Sequence, residues 1–110
     1  MSMGAEAELT AANYLTGRGL RLVKRNYRCR GGEIDLVMRD GPTLVFVEVR
    51  ARSGSGFGGA AESITAVKQG RIILAARHYL ATHGRDEPCR FDAVLIQAGR
   101  IEWIRSAFEA

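Results

Sequence analysis

Three short apolar segments separated by turn signals constrain the fold of this chain more than any other feature of the sequence. Residues 20–27, 33–39 and 44–52 are rich in Val, Ile, Leu and Phe, and the breaks between them contain Gly-Gly and Asp-Gly-Pro. Segments of this length and composition, bounded by such turn residues, are typical of β-strands joined in hairpins. The sequence therefore predicts a meander of three antiparallel strands.

The meander is flanked by segments with helical spacing. In residues 4–16, alanine and leucine recur every three or four positions before two glycines, which predicts a helix, and a longer helix is predicted at 61–82. Two short strands, 90–97 and 100–104, are predicted to close the chain. Together these elements predict a single α/β domain over residues 1–110: a helix, a three-stranded antiparallel meander, a long helix and short closing strands.

The composition excludes a disordered chain and a chain that spans a membrane. With 110 residues, of which 46% are hydrophobic, the sequence can form a core without disulfides or metals. No apolar run approaches the ~18 residues of a membrane span, and the first residues lack the basic and then apolar pattern of a signal peptide. We therefore expect a cytoplasmic protein without a membrane partner.

A cluster of basic side chains surrounds Tyr27 in the first strand segment, in a chain of net charge +4. The candidate nucleic-acid-binding residues in this cluster are Lys24, Arg25, Arg28 and Arg30. A basic segment with an aromatic residue is typical of a track for the backbone of DNA or another nucleic acid. The same charges are typical of an edge strand, where they prevent aggregation. Both interpretations stay open at this point.

A glycine-rich loop at residues 53–59 follows the third strand segment. It lacks the Gly-Lys-Ser or Gly-Lys-Thr sequence of a mononucleotide-binding loop. We predict instead a mobile flap that orders over a substrate, with Phe57 as a stacking or wedge residue that contacts nucleic acid.

One carboxylate breaks the apolar pattern of the first helix. At about 100° per residue, Glu8 falls inside the apolar stripe, between Ala12 and Leu15, whereas Glu6 points to the opposite side. Glu8 is therefore predicted to point inward.

Two further carboxylates face each other across the second predicted hairpin. A turn at residues 40–43 sets an antiparallel register that places Asp35 opposite Glu48. The same register places Glu33 opposite Arg50. Like charges that face each other between strongly apolar neighbours repel, so we expect a cation between Asp35 and Glu48. Magnesium, held by two carboxylates, a backbone carbonyl and waters, fits this position.

The acidic residues also have a second interpretation, in which they lie on a solvated sheet face and are neutralised by Arg39 and Arg50. Lys68 has two interpretations as well. It falls inside the apolar stripe of the long helix, where a lysine either extends its amine to solvent or reaches a cluster of carboxylates. The convergence of acidic residues from three segments favours the metal site.

These acidic residues form a split motif, Glu33-Ile34-Asp35-Leu36 and then Val45-Phe46-Val47-Glu48-Val49-Arg50. The motif resembles that of the restriction-endonuclease-like nucleases, whose usual form ends in Glu-x-Lys. More narrowly, nearly the whole chain resembles the YraN family, uncharacterised bacterial proteins predicted to be related to Holliday junction resolvases. The further residues that carry this resemblance are Gly4, Glu8, Ala11, Tyr14, Leu15, Asn26, Tyr27, Arg28, Gly32, Phe57, Gly58, Lys68, Arg90, Phe91 and Asp92.

The resemblance implies a restriction-endonuclease-like fold in which Asp35 and Glu48 bind Mg²⁺ or Mn²⁺ and Glu8 is an additional acidic residue of the site. Arg50 stands where the motif has a lysine. Arginine keeps the positive charge but cannot act as a base, because its guanidinium stays protonated throughout the physiological pH range. Lys68 is the candidate to supply the missing amine. The expected catalytic set is Glu8, Asp35, Glu48, Arg50 and Lys68.

These expectations favour a metal-dependent endonuclease that acts on DNA, including branched DNA. The alternatives are a non-catalytic nucleic-acid-binding module on the same fold and, from another class, a protein-interaction adaptor. Resolvases of this size act as dimers because two strands must be cut symmetrically, so a homodimer is expected, although no residue marks a dimer face. The sequence leaves open whether DNA or RNA is preferred.

Overall fold

The computed structural model describes residues 3–52, 64–83 and 86–110 as a mixed α/β arrangement of two helices and five strands. The elements are α1 (Met3–Thr16), β1 (Arg21–Cys29), β2 (Gly32–Asp40), β3 (Thr43–Arg52), α2 (Ala66–His83), β4 (Cys89–Gln97) and β5 (Arg100–Phe108). Their order confirms the predicted α/β architecture of a helix, three strands, a helix and two strands. Neither helix is long and apolar enough to cross a lipid bilayer, within the part of the chain described.

The five strands form a sheet in the order β1-β2-β3-β4-β5. The first three strands pair antiparallel, which confirms the predicted meander, and Arg39 pairs with Leu44 as the register of the second hairpin requires. β3 and β4 pair in parallel, and β5 returns antiparallel along β4. A parallel pair needs a long crossover connection, which α2 supplies. β1 and β5 are the edge strands.

The second helix begins later than predicted. The prediction started it at residue 61, but Thr65 is still outside the helix and its Oγ1 accepts a hydrogen bond from the backbone N–H of Lys68 at 3.1 Å. A threonine in this position satisfies a backbone donor of the first helical turn, which favours a helix start at the next residue, Ala66. The cap thereby places Lys68 in the first turn of α2.

The closing strands are longer than predicted. β5 was expected to end at residue 104, but it continues to Phe108, which pairs with Phe91 of β4. The continuation depends on a bulge, because Ser106 has a positive φ of 51° and its backbone N–H donates to Asp92 at 3.0 Å. A bulge of this kind adds residues to one strand without ending the pairing.

Each face of the sheet carries a hydrophobic core beneath one helix. The core under α2 contains Tyr27, Ile34, Val37, Phe46, Ile72, Ala75 and Tyr79 among its buried members. The core under α1 contains Ala11, Ala12, Leu15, Leu36, Met38, Val45, Val47 and Val94. The sheet is therefore sandwiched between the two helices, and its central strands are buried on both faces.

The alternation of side chains along β2 breaks at Asp35. Residues two apart in a regular strand share a face, yet Ile34 belongs to the core under α2 and Leu36 to the core under α1. The neighbouring strand is irregular at the same level, where Asn26 has a positive φ of 53°. Asparagine tolerates this left-handed conformation better than most residues. The break leaves Asp35 outside both cores.

The far end of the sheet is held by a buried carboxylate. Asp92 is fully buried and accepts hydrogen bonds from Arg90 Nε at 3.0 Å and from Trp103 Nε1 at 3.0 Å, in addition to the Ser106 N–H. Arg90 also bonds Asp40 at 2.9 Å. A buried charge with this many partners is compensated, and it links β2, β4 and β5.

A pair of glycine variants tests the packing of the first hairpin on α2. A Cβ on Gly32 would overlap the carbonyl oxygen of Arg71, so Gly32→Ala should lower the free energy of unfolding by about 1–3 kcal/mol. Gly70 lies in α2 with nothing within 4 Å of its Cβ position, so Gly70→Ala should instead raise it by about 0.5–1 kcal/mol. Urea denaturation measures both. Equal stability of the two variants would contradict the close approach.

Candidate functional site

An acidic cleft of about 430 Å³ lies where α1, β2, β3 and the start of α2 meet. Its side chains come from four separate elements and include the five residues of the expected catalytic set: Glu8, Asp35, Glu48, Arg50 and Lys68. The other residues that line it are mostly small, including Gly4 and Ala7. The fold thus brings these five residues together in one open depression.

Asp35 is fixed at the point where β2 and β3 separate. The backbone pairing of these strands stops at the pair Leu36 and Val47, so Asp35, the preceding residue of β2, has no ladder partner on β3. Instead, the Val49 backbone N–H donates to Asp35 Oδ2 at 2.8 Å. Asp35 and Glu48 therefore meet in the cleft as predicted, but as neighbouring side chains and not as a ladder pair.

The predicted pairing of Glu33 with Arg50 is wrong. Because the ladder ends before this level, Glu33 forms ion pairs with Arg28 and Lys68, each at 3.6 Å, while Arg50 pairs with Glu48. The break at Asp35 changes which side chains meet beyond it. Glu33 is thereby linked to the acidic cleft through Lys68.

Glu48 is the most buried carboxylate of the acidic cleft, with 4% of its side chain exposed. Burial raises the pKa of Glu48 to about 8, and the neighbouring Asp35 carboxylate adds to the rise. The positive charges of Lys68 and Arg50 act in the opposite direction. Without further positive charge, the site favours a protonated Glu48 near neutral pH.

Glu8 points into the acidic cleft, which confirms the inward direction predicted from the helical pattern. Burial raises the pKa of Glu8, and Asp35 adds to the effect, whereas a hydrogen bond from the Asn26 side chain and the charge of Arg25 oppose it. The Oε1 atoms of Glu8 and Glu48 are both buried without a hydrogen-bond partner among the residues described. Asn26, which was named only among the residues that carry the family resemblance, therefore contacts a carboxylate of the site.

Two cations approach the same oxygen of Glu48. Arg50 Nε lies 3.2 Å from Glu48 Oε2, and Lys68 Nζ lies 3.9 Å from it. Of the two interpretations of Lys68, the structure therefore supports the one in which the amine reaches the carboxylates. The other oxygen, Glu48 Oε1, has no hydrogen-bond donor among the described residues.

The donor set of the acidic cleft fits a hard divalent cation. Magnesium and manganese prefer carboxylate oxygens and complete their shell with carbonyls and waters, so two protein carboxylates suffice. Asp35 and Glu48 are the residues that could hold it, and the unpartnered oxygens of Glu48 and Glu8 are free to accept it or its waters. No group of three His, Cys, Asp or Glu side chains among the described residues forms a complete metal site.

The basic candidates of β1 fall into two groups. Lys24 and Arg28 are exposed on this edge strand, and Arg30 is exposed in the turn that follows it. Arg25 is half-buried, and its guanidinium donates to the Ala5 carbonyl of α1 at 3.3 Å, so it helps to dock the helix. The edge position agrees with the aggregation-protecting interpretation and leaves three cations available to a ligand. Phe57 lies outside the residues that the structure describes.

Comparison with known sequences identifies the family. The profile of the uncharacterised protein family UPF0102 matches residues 7–96 of this chain. The chain belongs to this family. A UPF0102 protein of Cupriavidus taiwanensis is 64% identical over 97% of this chain and 82% of its own length. UPF0102 proteins of Nitrosomonas europaea and Methylobacillus flagellatus are 62% and 56% identical, over 96% and 98% of this chain and 92% and 97% of their own lengths.

The UPF0102 match confirms the resemblance to the YraN family. It extends from α1 to β4, so it contains all five side chains of the expected catalytic set, whereas β5 lies beyond it. The description of the UPF0102 family names no activity.

The raised pKa of Glu48 predicts a pH dependence of stability in metal-free buffer. Folded Glu48 keeps its proton up to about pH 8, whereas the unfolded chain releases it near the ordinary value of 4.5. The contribution of this group is therefore present below pH 4.5 and is lost as the pH rises through about 8. At pH 9 in EDTA, Glu48→Gln should be more stable than the wild type by about 1 kcal/mol or more, since one pKa unit corresponds to ~1.4 kcal/mol.

Thermal and urea unfolding between pH 5 and pH 9 would measure this difference. Glu102→Gln, at an exposed position of β5, is the matched control and should follow the wild type. A wild-type protein that gains stability relative to Glu48→Gln as the pH rises would show that Glu48 is ionised in the folded state.

Proposed function

We propose that this UPF0102 protein is a metal-dependent endonuclease-like protein that binds DNA, including branched DNA, and hydrolyses phosphodiester bonds in the acidic cleft. The observation that carries the proposal is the convergence of Glu8, Asp35 and Glu48 with two cations in one open depression. Three converging carboxylates, two of which have an unpartnered buried oxygen, are costly to fold together, and a structural role does not explain them. A metal site that acts on phosphate explains why they converge.

The topology supports a restriction-endonuclease-like fold as part of the same proposal. The acidic residues lie on consecutive antiparallel strands, β2 and β3, and α2 then leads to a parallel strand, β4. This arrangement agrees with the split acidic motif noted in the sequence. Positions where two strands stop pairing are suited to a ligand, because backbone groups there are not fully paired.

Asp35 and Glu48 are proposed to hold Mg²⁺ or Mn²⁺, with Glu8 as a further acceptor for its waters. A bound cation of this kind lowers the pKa of a coordinated water and neutralises charge on the scissile phosphate. The Val49 N–H keeps Asp35 Oδ2 in place, so less ordering is needed on binding. Glu48 must lose its proton to become a ligand, which makes binding stronger at higher pH.

Arg50 and Lys68 are proposed to hold the phosphate. Both charges lie beside Glu48 Oε2, so they are positioned to stabilise a pentacovalent phosphate that develops next to it. Arg50 cannot take a proton from water, but the Lys68 amine can exchange protons. Lys68 therefore replaces the lysine that the motif has at the position of Arg50.

A non-catalytic nucleic-acid-binding module is the second candidate. The observation that favours it is Arg50 itself, because it is ion-paired with Glu48 at 3.2 Å and occupies the motif position of an amine. In this case the acidic cleft would bind metal and phosphate without cleaving.

Cutting both strands symmetrically would require two acidic clefts, so the endonuclease proposal includes a homodimer, which the mass of the protein in solution would test.

Cleavage assays test the proposal directly. Duplex, single-stranded, flap and four-way-junction DNA should be incubated with the protein and Mg²⁺ or Mn²⁺, with EDTA as the metal-free arm. We expect metal-dependent cutting that Asp35→Asn abolishes and that Asp86→Asn, at an exposed position, leaves unchanged. Metal-independent cutting, or equal activity of Asp35→Asn, would contradict the proposal.

A second set of variants tests how the missing motif lysine is replaced. If Lys68 supplies the amine, Lys68→Ala should lower cleavage by ~10²- to 10⁴-fold, the usual size of general acid–base assistance, and Arg50→Lys should change little. If Lys68 does not supply it, Arg50→Lys should raise cleavage by a similar factor. Failure of both the wild type and Arg50→Lys to cut any substrate would leave the binding module as the better account.

A further inference from the structure

A second cavity, of about 480 Å³, lies between the edge strand β1 and the end of α2. The aromatic rings that line it belong to Tyr27, Tyr79 and His83, and its cations are Lys24 and Arg28. Among the described residues Lys24 forms no ion pair, and Arg28 is 73% exposed in its ion pair with Glu33. The cavity thus combines rings with positive charges that are available to an anion.

Two irregularities of β1 create this cavity. The register with β2 shifts between Leu22 and Lys24, which marks a bulge, and Asn26 adopts a positive φ. In a regular strand Lys24 and Tyr27 would point to opposite faces, but here both line the same cavity. Bulges on edge strands commonly redirect side chains toward binding sites.

His83 is the ring that a ligand would meet. Tyr27 and Tyr79 are only 6% and 8% exposed, whereas His83 is exposed. Its ring stacks on Tyr79 at a centroid distance of 5.0 Å, and its Nδ1 lies 2.8 Å from Thr82 Oγ1. The ring is therefore held in one orientation before any ligand arrives, which lowers the entropic cost of stacking.

A row of cations leads from this cavity to the acidic cleft; its members are Lys24, Arg28, Arg71 and Lys68. Arg28 also lines a cavity of about 320 Å³ together with Arg71 and Glu33, and Glu33 is ion-paired with Lys68 of the acidic cleft. The rise of α2 from Lys68 to His83 is about 22 Å, a length that several nucleotides of a single strand can span. The spacing suits one strand that passes from the acidic cleft to His83.

We propose that this row binds a single-stranded DNA segment next to the cleavage position, with an unpaired base stacked on His83 and its phosphates on Lys24 and Arg28. The inference rests on the proposed function, because it takes the acidic cleft as the place from which the strand continues. Bases in an intact duplex are stacked on each other and cannot use such a ring, whereas unpaired bases stack on aromatic side chains regardless of sequence. The substrate class is therefore DNA with a single-stranded arm, as in flaps and opened junctions.

Binding in EDTA tests this inference without any contribution from metal or cleavage. Fluorescence anisotropy would compare a blunt duplex with the same duplex carrying a thymidine tail of about ten nucleotides, within the usual size of single-strand sites. We expect the wild type to prefer the tailed duplex. His83→Ala should weaken binding of the tailed duplex by roughly fivefold or more and leave the blunt duplex unchanged, because stacking is lost.

Three variants keep the test specific. His83→Phe retains a ring and should bind the tail as the wild type does, which also controls for folding. Lys24→Ala should flatten the salt dependence of tail binding by about 0.7 in the slope of log K against log salt, the value for one phosphate contact on a single strand. Arg100→Ala, exposed on the opposite edge strand, should change neither quantity.

The inference is overturned if the wild type does not prefer the tail, if His83→Ala weakens blunt and tailed DNA equally, or if His83→Phe fails while remaining folded. Its failure is distinguishable from failure of the proposed function. Tail preference that depends on His83, in a protein that cuts nothing with Mg²⁺ or Mn²⁺, supports the inference and removes the endonuclease. Metal-dependent cutting without tail preference supports the endonuclease and overturns the inference.

Discussion

The break in side-chain alternation at Asp35 is the constraint on which the candidate site depends. It directs Ile34 into the core under α2 and Leu36 into the core under α1, so both faces of β2 are anchored by burial. Burial of two such side chains is worth several kcal/mol, far more than the local irregularity costs. As a result Asp35 is held between the two cores, where the Val49 N–H and the neighbouring acidic residues define one acidic cleft.

The acidic cleft opposes the stability of the rest of the molecule. Glu48 is buried beside Asp35, and Glu8 is brought to the same place by α1, so three carboxyl groups converge at one depression. Arg50 and Lys68 compensate only one oxygen of Glu48. Sites that are poorly compensated in the free protein are commonly the sites that bind a charged ligand. The well-compensated Asp92, with partners on every side, shows the contrasting case of a buried carboxylate with a structural role.

Much of the fold could be predicted from the sequence because it depends on local patterns. Apolar segments and turn residues predicted the meander, the turn predicted the pairing of Arg39 with Leu44, and the helical pattern predicted the inward Glu8. The partners of Glu33 could not be predicted, because a register argument assumes regular alternation and the break at Asp35 ends it. The end of β5 depends on a bulge stabilised by the distant Asp92, and no local pattern reports such a contact. The left-handed Asn26 was the available signal for the break, since asparagine favours that conformation.

Anomalous diffraction from crystals grown with Mn²⁺ would show whether the acidic cleft is a metal site. We predict an anomalous peak between Asp35 and Glu48, at about 2.1 Å from their oxygens, the distance typical of a small divalent cation on carboxylates. Glu48 should bind the metal through its unpartnered Oε1, while Arg50 and Lys68 stay beside Oε2. Crystals in which manganese binds elsewhere, with neither Asp35 nor Glu48 in contact with it, would contradict the metal site.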